Sequence, residues 1–66
     1  MTVIVNGEDR IVNESSTLQM LLELLNLEGK VMAAAVNMNI VKQEQWGEHQ
    51  LNEGDKVELL DFVGGG

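Results

Sequence analysis

The sequence predicts an α+β domain in which a mixed sheet of four to five strands packs on one main helix. Three observations carry that expectation. β-Branched and apolar runs separated by turn residues lie toward both ends, a leucine-rich stretch near the middle repeats at helical spacing, and 66 residues leave room for one core only.

Thr2–Val5 is apolar and β-branched, and Asn6-Gly7-Glu8-Asp9 offers a turn before Arg10-Ile11-Val12-Asn13 resumes a strand. Asn-Gly is the strongest short-range hairpin signal, because both residues tolerate the positive φ of a tight turn. The period then changes. Ser16 and Gln19 have the spacing of a capping box, in which hydroxyl and amide satisfy backbone donors at a helix start, so a helix is expected from about Thr17. Leu18, Leu21, Leu22 and Leu25 form its buried stripe, Met20, Leu24 and Leu27 widen it, and Gly29 is placed to end it in a left-handed cap.

Val31–Val36 is short and bounded by turn residues, which argues for a strand although Ala33, Ala34 and Ala35 intrinsically prefer helix. Small side chains there would let the helix approach the sheet. Asn37-Met38-Asn39 reads as a turn, Ile40-Val41 as a brief strand, and Lys42–Gln50 as an irregular loop whose Trp46 covers an edge of the core. Leu51–Asp55 turns the chain into a last strand, Lys56–Val63.

In that strand Val57 and Leu59 alternate with Glu58, after which the pattern slips: Leu60 and Phe62 share the parity of Glu58. Two outcomes fit. Either Leu60 and Phe62 stand exposed as a docking pair beside the chain's end, or a bulge re-phases the strand and returns them to the core.

Val63-Gly64-Gly65-Gly66 closes the sequence. Glycines lacking Cβ make a thin arm able to thread a narrow tunnel, and the arm carries a carboxylate at its tip. The division expected is a folded body over 1–63 and a tail over 64–66. An inert, frayed end is the plain alternative.

Composition narrows the chemistry. There is no cysteine and a single histidine, which leaves no thiol nucleophile, disulfide or zinc cluster. A formal charge of -7, with only four basic residues, argues against nucleic acid and for a partner with a basic docking surface. No stretch reads as a signal peptide or a membrane span, so a cytoplasmic location is expected. No set of nucleophile, base and orienting group is visible, and neither catalysis nor a bound cofactor is expected.

The segments Val36-Asn37-Met38-Asn39-Ile40-Val41, Gln45-Trp46, Leu51-Asn52-Glu53-Gly54-Asp55-Lys56-Val57-Glu58 and Phe62-Val63-Gly64-Gly65-Gly66, in this order and spacing, resemble the signature of ThiS, the thiamine-biosynthesis sulfur carrier family. The chain departs from the commoner pattern at Lys42-Gln43, where many relatives have proline and arginine, and at Asn39, where a glycine or small polar residue is frequent. The resemblance implies a ubiquitin-like β-grasp fold. It also implies that an E1-like adenylyltransferase (ThiF-like) consumes ATP to adenylate Gly66, that a sulfur donor protein converts the adenylate to a thiocarboxylate, and that a ThiG-like thiazole synthase takes the sulfur. Gly64 and Gly65 would thread the partner's active site, with Leu60, Phe62 and Val63 docking near its mouth. A molybdopterin-synthase small subunit (MoaD-like), a ubiquitin-like conjugating tag and an inert interaction module remain the alternatives.

Overall fold

The computed structural model describes residues 1–61. Five strands and one helix follow in the order β1 (Thr2–Val5), β2 (Glu8–Ile11), α1 (Leu18–Leu24), β3 (Val31–Val36), β4 (Asn39–Val41) and β5 (Lys56–Asp61), with a 3-10 turn over Gln43–Gln45. They form a single mixed sheet in the order β2-β1-β5-β3-β4, with β1 and β5 parallel and the other neighbours antiparallel. The strand formed last in the sequence is therefore central in the sheet.

Both hairpins close through two-residue turns with positive φ at both positions, the geometry that matches the right-handed twist of the flanking strands. Asn6 (φ 49) and Gly7 (φ 86) connect β1 to β2, so Glu8 and Asp9, expected in the turn, already pair as strand residues. Asn37 (φ 51) and Met38 (φ 72) connect β3 to β4. Met38 is an unbranched side chain held where its Cβ crowds the backbone, and it gains nothing in exchange, being 89% exposed.

The helix begins one residue later than the expected box. Thr17 is the N-cap: its Oγ1 accepts from Met20 N–H at 3.2 Å, and Met20 Sδ accepts from Thr17 N–H at 3.4 Å. Ser16 is buried and its hydroxyl donates to the Asn13 carbonyl at 2.6 Å, closing the preceding turn instead. The other first-turn donors are taken by the neighbouring loop, Leu18 N–H by His49 O (2.9 Å) and Gln19 N–H by Trp46 O (3.0 Å). No helix-start donor is left for a ligand. The far end closes on Asn26 (φ 59), not on Gly29: Leu27 N–H reaches Leu22 O (2.8 Å) and Asn26 N–H reaches Glu23 O (3.1 Å), a Schellman closure. Gly29 serves the next turn, with φ 73.

Leu18, Leu21 and Leu22 are buried, and Leu25 and Leu27 pack at the core's margin. They meet one face of the sheet, made by Val3 and Val5, Val57 and Leu59, Ala34 and Val36, and Val41, while Trp46 and Leu51 close the side. Met20 and Leu24, expected to widen the stripe, are 49% and 59% exposed because a two-turn helix presents only its narrow stripe to the sheet. Only Ala34 of the three alanines faces the helix; Ala33 and Ala35 lie on the opposite face. Trp46 fills its expected place, buried, with Nε1 donating to Val41 O at 2.8 Å.

Replacing Met38 by glycine should raise stability by about 1 kcal/mol, the cost of a non-glycine residue in the left-handed region. The check is the urea midpoint at unchanged slope; an unmoved or lowered midpoint would show the turn to be unstrained.

Candidate functional site

A network of side-chain bonds fixes the start of β5. Asp55 is buried there, its Oδ2 accepting from Asn52 N–H at 2.8 Å and its Oδ1 from Asn37 Nδ2 at 3.0 Å. Asn37 completes the junction, since its Oδ1 accepts from Lys56 N–H (3.0 Å) and its own N–H donates to Lys56 O (2.7 Å). Gly54 N–H donates to Thr2 O (2.7 Å) and Ile4 N–H to Asp55 O (2.9 Å), so the same turn is tied to β1. Carboxylate-centred bonds of this kind are among the stronger ones in proteins, and losing one partner leaves a buried group unpaired.

From that anchor β5 runs between β1 and β3 toward the glycines. Its alternation is unbroken through Leu60: Val57 and Leu59 face the core, and Leu60, opposite Ala33, stands 55% exposed on the other face. The irregularity sits in β3, where Val31 pairs with Asp61 and Ala33 with Leu60, leaving Met32 as the extra residue. Of the two outcomes open for Leu60, the structure has the exposed one. Phe62, Val63, Gly64, Gly65 and Gly66 lie outside the described residues, as does the boundary expected at Val63.

Leu60 does not stand alone. Ile40, paired with Ala35 on β4, is 74% exposed, and Ala33, Ala35, Ile40 and Leu60 line a shallow depression rimmed by Asn6 and Glu58. In the sequence Ile40 belongs to a brief strand, and its parity, opposite to that of the buried Val41, is the signal that places it on the open face. Among the described residues nothing covers this apolar face, which has the form of a docking surface. Among the described residues no group of His, Cys, Asp or Glu side chains could hold a metal ion, and no helix is long and apolar enough to cross a membrane.

A profile of the ThiS family matches residues 3–66, almost the whole sequence and the three closing glycines with it. The chain belongs to the ThiS family. It is 32% identical over 66 residues to the sulfur carrier protein ThiS of Escherichia coli, covering both chains completely. A crystal structure of the thiamine biosynthesis protein ThiS from Geobacter metallireducens superposes with a TM-score of 0.81 at 31% identity, again over the full length of each. The fold is thus the β-grasp of this family. A thiazole synthase of Paramagnetospirillum magneticum is 35% identical over 66 residues, and there the chain spans only 20% of its relative. As a member of ThiS the protein is a sulfur carrier of thiamine biosynthesis and a non-catalytic one, which sets aside the inert module.

Substituting Asp55 by alanine should cost about 2–3 kcal/mol, because Asn52 N–H and the Asn37 amide both lose a buried partner. With Asn37→Gly, which keeps the positive φ, the double variant should cost less than the sum by about 1 kcal/mol in equilibrium unfolding. Strict additivity would show that the two side chains do not act as one junction.

Proposed function

We propose that the carboxyl group of Gly66 is the sulfur-carrying atom set. An E1-like, ThiF-like enzyme would bind the carrier and ATP; the Gly66 carboxylate attacks the α-phosphorus, pyrophosphate leaves, and an acyl-adenylate forms. A carboxylate by itself is a poor electrophile, and AMP is the leaving group it lacks. Sulfide-level sulfur released by a sulfur donor protein then attacks the acyl carbon and expels AMP, giving a thiocarboxylate whose sulfur passes to a ThiG-like thiazole synthase. ATP is consumed on the partner and no cofactor resides on the carrier.

The observation that carries this reading is the family match reaching residue 66. The Paramagnetospirillum magneticum thiazole synthase, which contains a segment similar to the entire chain, supports thiazole synthase as a partner. Docking is assigned to the open sheet face, with Leu60 and Ile40 as its apolar centre, Phe62 and Val63 extending the grip toward the tunnel, and Gly64 and Gly65 threading it. A formal charge of -7 favours approach to a basic rim, an effect that should weaken with salt. Action in the cytoplasm fits a carrier that meets ATP-dependent enzymes.

The test is the intact mass of the protein after incubation with its adenylating enzyme, ATP and a sulfur source. We expect an ATP-dependent gain equal to one oxygen replaced by sulfur, lost on deleting Gly66. No gain with an enzyme active on another carrier would overturn the reading, and a covalent ladder on lysines would replace it with a conjugating tag. Leu60→Glu should leave the melting temperature nearly unchanged yet weaken capture by the adenylating enzyme about tenfold or more, as for the loss of an apolar anchor. Unaltered capture would move docking off this face.

A further inference from the structure

We infer that Asn6 is a positioning residue for the C-terminal arm, its carboxamide holding β5 at the place where β1 has already turned away. The inference rests on the carrier chemistry proposed above and adds a residue far from the arm in sequence.

β1 ends at Val5, whereas its parallel neighbour β5 continues to Asp61. The last main-chain rung between them is Asn6 N–H to Val57 O at 2.9 Å. A parallel ladder carried further would need backbone groups from Asn6 onward, but there the chain reverses through Asn6-Gly7. The Asn6 side chain supplies the missing rung. Its Oδ1 accepts from Leu59 N–H at 2.8 Å, and its Nδ2 donates to Leu59 O at 3.3 Å. On the opposite edge the next residue, Leu60, pairs with Ala33 of β3. The central strand is therefore gripped from both sides as far as Leu59, and by β3 alone at the docking residue beyond it.

Two demands meet at this position. The turn requires φ of 49, and the rung requires one donor and one acceptor close to the backbone. Asparagine meets both; glycine meets the first, and aspartate meets the first with only the acceptor half of the second. That difference separates the clamp from the turn experimentally.

The clamp lies at the rim of the depression lined by Ala33, Ala35, Ile40 and Leu60, two residues before the last described position of β5. β3 holds the strand on to Asp61, whereas on the β1 side the hold ends at Leu59, so a carrier docked through Ile40 and Leu60 would present its last residues from a strand that Asn6 alone steadies on that edge. Releasing Leu59 on the β1 edge keeps Leu60 paired with Ala33, and so keeps the docking face in place, while loosening the strand from which the last residues are presented. The loss should fall on kcat of adenylation, with KM for the carrier nearly constant.

The experiment measures steady-state adenylation of wild type, Asn6→Gly and Asn6→Asp by the partner enzyme, alongside amide hydrogen exchange at Leu59, Leu60 and Val57. Expected is a kcat lower by about three- to tenfold in Asn6→Gly, the range of one or two lost hydrogen bonds, with Asn6→Asp between. Leu59 and Leu60 amides should exchange faster while Val57 stays protected. Val12→Ala, a core change elsewhere in the body, controls for stability and should leave kcat unaltered. Faster exchange at Leu59 with wild-type kcat would overturn the inference, as would a loss confined to KM or one matched by Val12→Ala. A wild-type carrier that is not adenylated would instead defeat the carrier chemistry, a failure of the earlier reading and visibly different.

Discussion

The buried carboxylate of Asp55 is the constraint on which the remaining architecture depends. It joins the turn before β5 to the tip of the β3–β4 hairpin through Asn37, while the same turn bonds to β1. Three stretches distant in sequence meet at that point. Register in a sheet is specified poorly by short strands alone, and here β1 and β5 share only two paired positions. The junction at the start of β5 supplies the register that so short a ladder lacks, and a slip of one residue would exchange Leu59 and Leu60 between core and surface.

That exchange matters because the two faces have different duties. Alternation along β5 sends Val57 and Leu59 to the helix and Leu60 to the open side. The helix is only seven residues long, yet it needs no help from length: the loop around Trp46 and His49 accepts its first donors and a Schellman closure finishes it. Side-chain burial of Leu18, Leu21 and Leu22 at roughly 1.5–3 kcal/mol each outweighs what propensity alone could give so short a segment. One layer of helix covers one face of the sheet, and among the described residues nothing covers the other, the face on which docking is proposed.

The strands were legible because each was short, apolar and punctuated, and Asn6-Gly7 announced its own turn. Val31–Val36 was recovered against helix propensity, since tertiary pairing on both sides of β3 decides what alanines cannot. The boundaries of the helix were misplaced for a physical reason. Ser16 and Thr17 are both able to cap, and Gly29 and Asn26 both able to adopt positive φ; local sequence does not say which carbonyl the fold brings near. Met20 and Leu24 were assigned to the core by periodicity, which measures spacing and not how wide a surface the sheet offers. The proposed site was legible in part. The glycines and Leu60 stood out in sequence, whereas Asn6, Asn37 and Asp55 read only as turn residues until their side chains were seen to span from 18 to 53 positions along the chain.

Placing the last strand at the centre of the sheet has a consequence during synthesis. β1, β2, α1, β3 and β4 all emerge first, but β1 and β3 are not neighbours and cannot close on one another; both await β5. Contacts of such long sequence separation form late, and a nascent chain short of residue 56 exposes two unpaired edges and half a core. A partner docking on the proposed sheet face would therefore select molecules whose translation has run through β5. Foldedness itself reports that the last strand of the body has been made.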